Sequence, residues 1–487
     1  MKMNLKDFKG KPGVFLQEGH EYISRRQLFG AGVIPFAAGM LMPTLWDIFV
    51  RNNFAQAQVY PPGCNAISSG PSPFPAILHL NLSGGPLACQ YAIPAGPDNT
   101  TLLTNLGNVG LGTSTSTYNQ VPLFSNRLMV PTANGSSADP TLGAFYNAVT
   151  NGMSAATQAK VTAVATSLDA GNDTSGDAEN PAALIAAWAK GTKLPPLISQ
   201  GIGQQSALLT PPSPIQVSSV TSVGNQLAPA TGALNATLTQ TQKEAVFNLA
   251  ASLSGSQAAT LGSMPNGANM TNLLNCAGVQ NVTLTQQGGA SFDPRQVASL
   301  QTIYGINASS SANSSAVIEA TIVNCALQGL TPLGQFNLGG GDYHGNARAN
   351  TDPFDANAGA IIGRAIQAAA ALGKQIYIMT TQDGGMQCSS QTAAGAQGAG
   401  DDSGKCVMHL ITYNPTAAAP ATRNWINGFS TGQSTNTVGS TGFIASDSMS
   451  TRAVVANIIH NFTGSTAAFT ALDPSFTAAQ LASILVI

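Results

Sequence analysis

The stretch from Gly334 to Gly385 constrains the fold more than any other part of the chain. Gly334–Leu338 reads as a short strand that runs into Gly339-Gly340-Gly341-Asp342-Tyr343-His344-Gly345. Residues 357–372 carry a helical pattern closed by Gly373. Residues 374–381 read as a second strand, ending in Gln382-Asp383-Gly384-Gly385. Strand, glycine-rich turn, helix, strand, glycine-rich turn is the βαβ pattern of a parallel sheet. Upstream, Ala76–Leu82 alternates with the period of a strand and ends in Ser83-Gly84-Gly85-Pro86. In such sheets ligands gather beyond the carboxyl ends of the strands. Three segments place polar residues there: 81–86, 342–344 and 382–385. The expected fold is α/β, a largely parallel sheet sandwiched by helices. It forms one domain over residues 76–487, with a loop-rich or helical insertion at about 100–315.

That insertion is expected from composition. Residues 95–140 are dense in Asn, Thr, Ser and Gly, and residues 205–315 are rich in Gln, Ser, Thr and Asn. Helical patterns interrupt them, as at 181–190 and 242–253. Across all 487 residues only 8% are charged, against roughly 25% in an ordinary soluble domain. With 43% hydrophobic residues, a sizeable core forms and wholesale disorder is excluded. A net charge of −2 excludes a nucleic-acid binder, because nothing neutralises a run of phosphates.

Residues 1–57 read as an export signal. Ser24-Arg25-Arg26-Gln27-Leu28-Phe29 is a twin-arginine pair followed by apolar residues, and residues 28–46 carry no charge. Ala55-Gln56-Ala57 supplies the small-x-small cleavage pattern. The rival reading is a retained membrane anchor. Gly30, Gly32, Pro35, Gly39 and Pro43 interrupt the run and favour cleavage, which leaves no stable span. The expected location is periplasmic or secreted, with the twin-arginine translocase as the export partner. The signal carries seven of the 19 basic and four of the 21 acidic residues, which leaves 12 and 17. Residues 58–75 read as a linker.

All six cysteines follow the cleavage point, an even number that favours up to three disulfides in an oxidising compartment. Neighbours suggest Cys64–Cys89, Cys276–Cys325 and Cys388–Cys406, among about fifteen pairings that sequence does not separate.

Of five histidines, His20 leaves with the signal, His79 reads as a satisfied sheet histidine and His460 as structural. His344 alternates with Asp342 at a strand end, a pair able to bind a divalent cation or to act as acid and base. The competing reading makes Asp342 a turn cap and His344 a surface group. Asp383 follows the second strand in the same way, and Asp401, Asp402 and His409 lie on either side of Cys406. Asp342, His344, Asp383, Asp402 and His409 together form the carboxylate–imidazole set of a metal-assisted hydrolase. Alternatively, Asp401 and Asp402 only solubilise a loop pinned by a disulfide. Thr380, Thr381, Ser83 and Ser403 are hydroxyl nucleophiles that no neighbouring residue in the sequence activates.

The order of segments resembles the domain of unknown function 1501 family, twin-arginine-exported bacterial proteins of the alkaline-phosphatase-like superfamily. The resemblance rests on the S-R-R signal, on residues 80–86 followed by Tyr91-Ala92-Ile93-Pro94, on Asp342-Tyr343-His344-Gly345-Asn346, on residues 379–385 and on Gly400-Asp401-Asp402-Ser403-Gly404. It implies an alkaline-phosphatase-like scaffold and metal-dependent phosphate or sulfate ester chemistry. Asp342, His344 and Asp383 would be the catalytic residues, and Asp402 and His409 further metal ligands. Pro86 and Leu87 replace the family's acidic turn, Gln382-Asp383 its Ser-Glu, and Ser403 its loop histidine; no Arg follows Gly385. Those departures imply weakened metal chemistry. They keep open a non-catalytic envelope or extracellular binding protein, with a glycan or an envelope component as the expected partner of its Asn-, Thr-, Ser- and Gln-rich surface.

Overall fold

A computed structural model describes residues 74–82, 120–131, 142–169, 181–189, 192, 194–200, 214–227, 242, 245, 249, 292–339, 348–382, 387–388, 398–399, 405–428 and 447–487. The chain divides into two compact units, Met1–Ala66 with Ala228–Gln286, and Ile67–Leu227 with Gln287–Ile487. In the first, the described residues are Gln242, Ala245 and Leu249, all helical and exposed. The elements that follow belong to the second.

Its strands are β1 (Ala76–Leu82), β2 (Gln120–Leu123), β3 (Leu128–Pro131), β4 (Val161–Asp169), β5 (Leu197–Ile198), β6 (Ile215–Gln216), β7 (Gly334–Leu338), β8 (Ile376–Gln382), β9 (Gln387–Cys388), β10 (Gly398–Ala399) and β11 (Lys405–Tyr413). Its helices are α1 (Ala144–Thr150), α2 (Ala155–Gln158), α3 (Ala182–Trp188), α4 (Val220–Leu227), α5 (Ala298–Tyr304), α6 (Ser315–Leu327), α7 (Arg348–Ala371), α8 (Asp447–Thr463), α9 (Ala467–Thr470) and α10 (Ala478–Ile484).

Seven strands form one sheet in the order β4-β11-β8-β1-β7-β5-β6. β1 pairs in parallel with β7 and β8, and β5 in parallel with β7 and β6. β11 runs antiparallel to β8 and β4, so it is the reversed strand of an otherwise parallel sheet. The fold is therefore mixed α/β, a mostly parallel sheet flanked by helices.

Burial on both faces follows from the strand sequences. Every residue of β8 (IYIMTTQ) is buried, as a central strand between two helical layers requires. One layer, α8 with α3, α9 and α10, closes over Ile77, Val164, Tyr377, Met379, Met408 and Leu410. The other holds α1, α5, α6 and α7. Ser314 caps α6 by accepting from the Val317 amide, and Gly329 leaves the helix in the left-handed region at φ 66.

α7 carries the chain from β7 over β1 to β8. It begins at Arg348, nine residues before the helix expected from the sequence, and runs through Pro353. The two largest departures from the sequence reading are β4 and β11, nine residues each. Three strands of the main sheet, β4, β5 and β6, come from within residues 100–315, so that stretch is not an insertion outside the sheet. Only Ala228–Gln286 of it belongs to the other unit, and the expected single domain over 76–487 is divided accordingly.

The outer edge of β4 is covered. Asn126, at the tip of the β2–β3 hairpin, donates to the Ala163 carbonyl and accepts from the Ala163 amide. Residues 424–427 continue the cover through backbone bonds to Ala165 and Ser167. Capping by side chain and loop keeps an edge strand from pairing with another chain.

No helix among the described residues is long and apolar enough to cross a membrane. The export signal at 1–57 lies outside the described residues, as does the linker up to residue 73. Cys325 is a free thiol, fully buried in α6, and burial pushes its pKa up to about 12. It therefore does not form the expected bridge to Cys276. Cys64, Cys89 and Cys276 lie outside the described residues, and of Cys388 and Cys406 only the backbone is described.

Candidate functional site at the carboxyl edge of the sheet

The site is set by register. Leu82, the last residue of β1, stands opposite Leu338 at the end of β7 and opposite Gln382 at the end of β8. The three strands finish level and side by side. The turns that follow them, beginning at 83, 339 and 383, leave from neighbouring points of one edge. The reversed strand β11 begins at that edge, with Lys405 opposite Asp169 at the end of β4. The ends of β1, β7 and β8 and the start of β11 therefore share one edge, next in sequence to the segments holding Asp342 and His344, Asp383, and Asp402. The four side chains themselves lie outside the described residues.

His409 does not join them. The sequence reading grouped it with Asp401 and Asp402 around Cys406 as a ligand, but it lies within β11, fully buried. Its Nε2 is 2.8 Å from the Tyr146 hydroxyl, and its ring stacks on Phe145 at 5.8 Å between centroids. An imidazole held between two α1 aromatics inside the sheet is a core residue. Among the described residues no group of three or more His, Cys, Asp or Glu side chains is placed to hold a metal ion. The expected ligand set is reduced to Asp342, His344, Asp383 and Asp402.

Below the edge, on the α8 face, β1, β8 and β7 carry a polar network. The Thr381 hydroxyl donates to Asn81 Oδ1 at 2.9 Å, and His79 Nε2 lies 2.7 Å from the same hydroxyl oxygen. With the Thr381 proton committed to Asn81, its oxygen accepts from the Nε2–H of a neutral imidazole. Burial lowers the His79 pKa to about 3, against an opposing hydrogen bond from Gln335. Gln335 Nε2 donates to Asn337 Oδ1 at 2.9 Å, and Gln200 Nε2 donates to the Asn337 carbonyl at 3.0 Å. Asn81 and Asn337 are register partners, and both are half-buried. His79 lies in a strand, as the sequence suggested, but among the described residues it is bonded at close range only through Nε2, its buried Nδ1 having no partner; its neighbour Thr381 is buried. A buried hydroxyl beside so weak a base is suited to holding Asn81 in place rather than to nucleophilic attack.

On the other face, β8 and β11 part as they approach the edge. Backbone register runs from Tyr413–Ile376 to Leu410–Met379. Beyond it, side chains replace the ladder. Thr380 Oγ1 accepts from the His409 amide at 3.0 Å, and Gln382 Oε1 from the Val407 amide at 3.4 Å. The residues that the sequence reading passed over are Gln335 and Asn337. Their signal is faint: polar side chains at the ends of otherwise apolar strands.

His460 is structural, as expected: it lies near the end of α8 with Nδ1 3.2 Å from the Ile487 carbonyl oxygen. No family model, curated protein or solved structure matches the chain.

Proposed function

We propose that this chain is an exported protein, carried folded by the twin-arginine translocase to the periplasm or beyond. We propose an alkaline-phosphatase-like scaffold whose carboxyl-edge loops hydrolyse phosphate or sulfate esters. The observation that carries this reading is the level finish of β7, β1 and β8, with Leu338 and Gln382 both opposite Leu82. That register supports the reading, because the strands that precede Asp342, His344 and Asp383 in sequence end at one edge, where a site assembled from separated segments would lie. In this reading Asp342, His344 and Asp383 do the chemistry and hold a divalent ion, with Asp402 as a further ligand. Such an ion supplies a polarised ester oxygen and an activated water.

The test is stoichiometric metal analysis of the exported protein beside an ester panel covering phosphate and sulfate monoesters. Turnover lost on chelation and in Asp342→Ala supports the reading. A metal-free protein whose turnover is indifferent to Asp342→Ala removes it.

A second reading, a non-catalytic envelope or extracellular binding protein, is favoured by the neutrality of the polar groups below the edge. His79, Asn81, Thr381, Gln335 and Asn337 offer amides, a hydroxyl and an uncharged imidazole. Silence across the ester panel, with a glycan retained in pull-down, selects this reading.

A further inference from the structure

The last residue of β8, Gln382, holds a buried donor that the fold does not use. Its side chain is fully buried, and its Oε1 accepts from the Val407 amide where β8 and β11 part. That bond fixes which way the amide faces. The Nε2 at its other end makes no hydrogen bond among the described residues. Leaving a buried N–H2 unpaired is costly, and a side chain needed only for packing would be apolar here. The residue stands at the end of a central parallel strand, where ligands of such sheets bind.

We propose that Gln382 Nε2 is a ligand-binding group that donates to an oxygen of a bound phosphate or sulfate group. The chemistry of the atom sets the class. An amide N–H2 only donates, so its partner is an acceptor oxygen. A fixed neutral donor stabilises negative charge on that oxygen without bringing a counter-charge into the interior. Thr380 and Gln382 together replace the missing β8–β11 ladder bonds, so the amide is held in place before the ligand arrives. The inference rests on the reading of the carboxyl edge as the ligand edge and adds the group that grips the ligand's oxygen.

The test uses the full exported chain titrated separately with inorganic phosphate and inorganic sulfate, the two arms naming the preferred anion. Gln382→Met keeps the volume and removes the donor. It should weaken binding of the preferred anion about tenfold or more. The melting midpoint of the ligand-free protein should fall modestly, because losing Oε1 leaves the buried Val407 amide unpaired even as the unpaired Nε2 is removed, so binding is compared at temperatures where both proteins are folded. Gln382→Glu keeps the acceptor for Val407 and should also lose anion binding at pH 8, so a folding defect in one variant does not decide the result.

Unchanged anion affinity in both variants overturns the inference, as does failure of the parent to bind either anion. Ester turnover in the same samples separates the two claims. Turnover that is lost on chelation yet indifferent to Gln382→Met leaves the hydrolase standing and removes Gln382. Anion binding that depends on Gln382 without any turnover removes the hydrolase and keeps the anion site.

Discussion

Gly359→Ala should destabilise the protein, although alanine is the better helix former. Gly359 and Gly363 lie one turn apart on α7, on the side facing α1. A Cβ on Gly359 would press into the carbonyl oxygen of Phe145 and lie 3.0 Å from the Ala148 Cβ. A Cβ on Gly363 would lie 2.6 Å from the Val149 carbonyl oxygen and 3.0 Å from that of Ala148. These are backbone atoms of a neighbouring helix and cannot rotate aside, so the helices must separate. Overpacking of this kind costs about 1–3 kcal/mol, and a backbone clash belongs at the upper end. Alanine returns about 1 kcal/mol of helix propensity. The net expectation is a loss of about 2 kcal/mol for Gly359→Ala, roughly thirtyfold in the folded-to-unfolded ratio. Gly305→Ala provides the control: its φ is +64 and nothing lies within 4 Å, so only left-handed strain of about 1 kcal/mol applies. Urea unfolding followed by tryptophan fluorescence reads both, since Trp425 is buried. Because α1 carries Phe145 and Tyr146 against His409, the aromatic near-ultraviolet circular dichroism should change in Gly359→Ala and not in Gly305→Ala. A Gly359→Ala protein as stable as its parent would refute the close seating of α1 on α7.

Stability should fall as pH drops from about 6.5 to about 3. An unfolded His79 takes up its proton near 6.5, whereas burial holds the folded one neutral down to about 3. The stabilisation is therefore complete above 6.5 and is lost across that window, by roughly 4–5 kcal/mol at most. Urea midpoints against pH should show the slope, and His79→Gln should flatten it. Arg364→Leu should cost about 3–5 kcal/mol at pH 7.5, because it strands the Glu319 carboxylate that Arg364 holds with two 2.8 Å bonds. Burial already raises the Glu319 pKa, so this loss should shrink as pH falls and the carboxyl takes up a proton, and the double variant with Glu319→Gln should recover part of it. Cys325 should resist iodoacetamide at pH 8 in the folded protein and react once unfolded, as peptide mapping would record.

The parts of the fold legible in the sequence are those with local punctuation. β1 and β7 coincide with their expected bounds, since each is a short strand pattern followed directly by a glycine-rich stretch. β8 falls within a few residues of its own. β4 and β11 escaped because their tertiary pairing with each other, from Val161–Tyr413 to Asp169–Lys405, leaves no turn signal between them. In β4, VTAVATSLD mixes Ala, Thr and Ser with valine, a weak strand pattern that pairing and burial override. His409 was misread for the same reason. Its neighbours Asp401, Asp402 and Cys406 suggested a ligand loop, and only the strand at 405–413 shows that its side chain points into the core. The common edge was legible, because glycine-rich turns after parallel strands imply it. The network beneath it was not, because hydrogen bonds between β1, β7 and β8 join residues some 250–300 positions apart.

The placement of polar residues within those three strands also argues that the edge is more than packing. On the α8 face β1 runs Ile77, His79, Asn81; β8 runs Tyr377, Met379, Thr381; and β7, entered from Leu333, runs Gln335, Asn337. Each sequence of side chains passes from apolar to polar in the same direction, toward the carboxyl ends. Polar groups distributed for solubility would lie on exposed positions, but His79, Gln335 and Thr381 are buried. Polar groups retained for stability gain little, since each buried hydrogen bond contributes only about 1 kcal/mol net and an apolar pair of equal volume does as well. Concentrating them at one end of adjacent strands therefore weakens the core locally, where the loops with Asp342, His344 and Asp383 depart. A sheet that tolerates this at its carboxyl edge, and keeps Leu78, Leu80 and Leu82 on the opposite face of β1, gives up packing at the one end where the proposed site would lie.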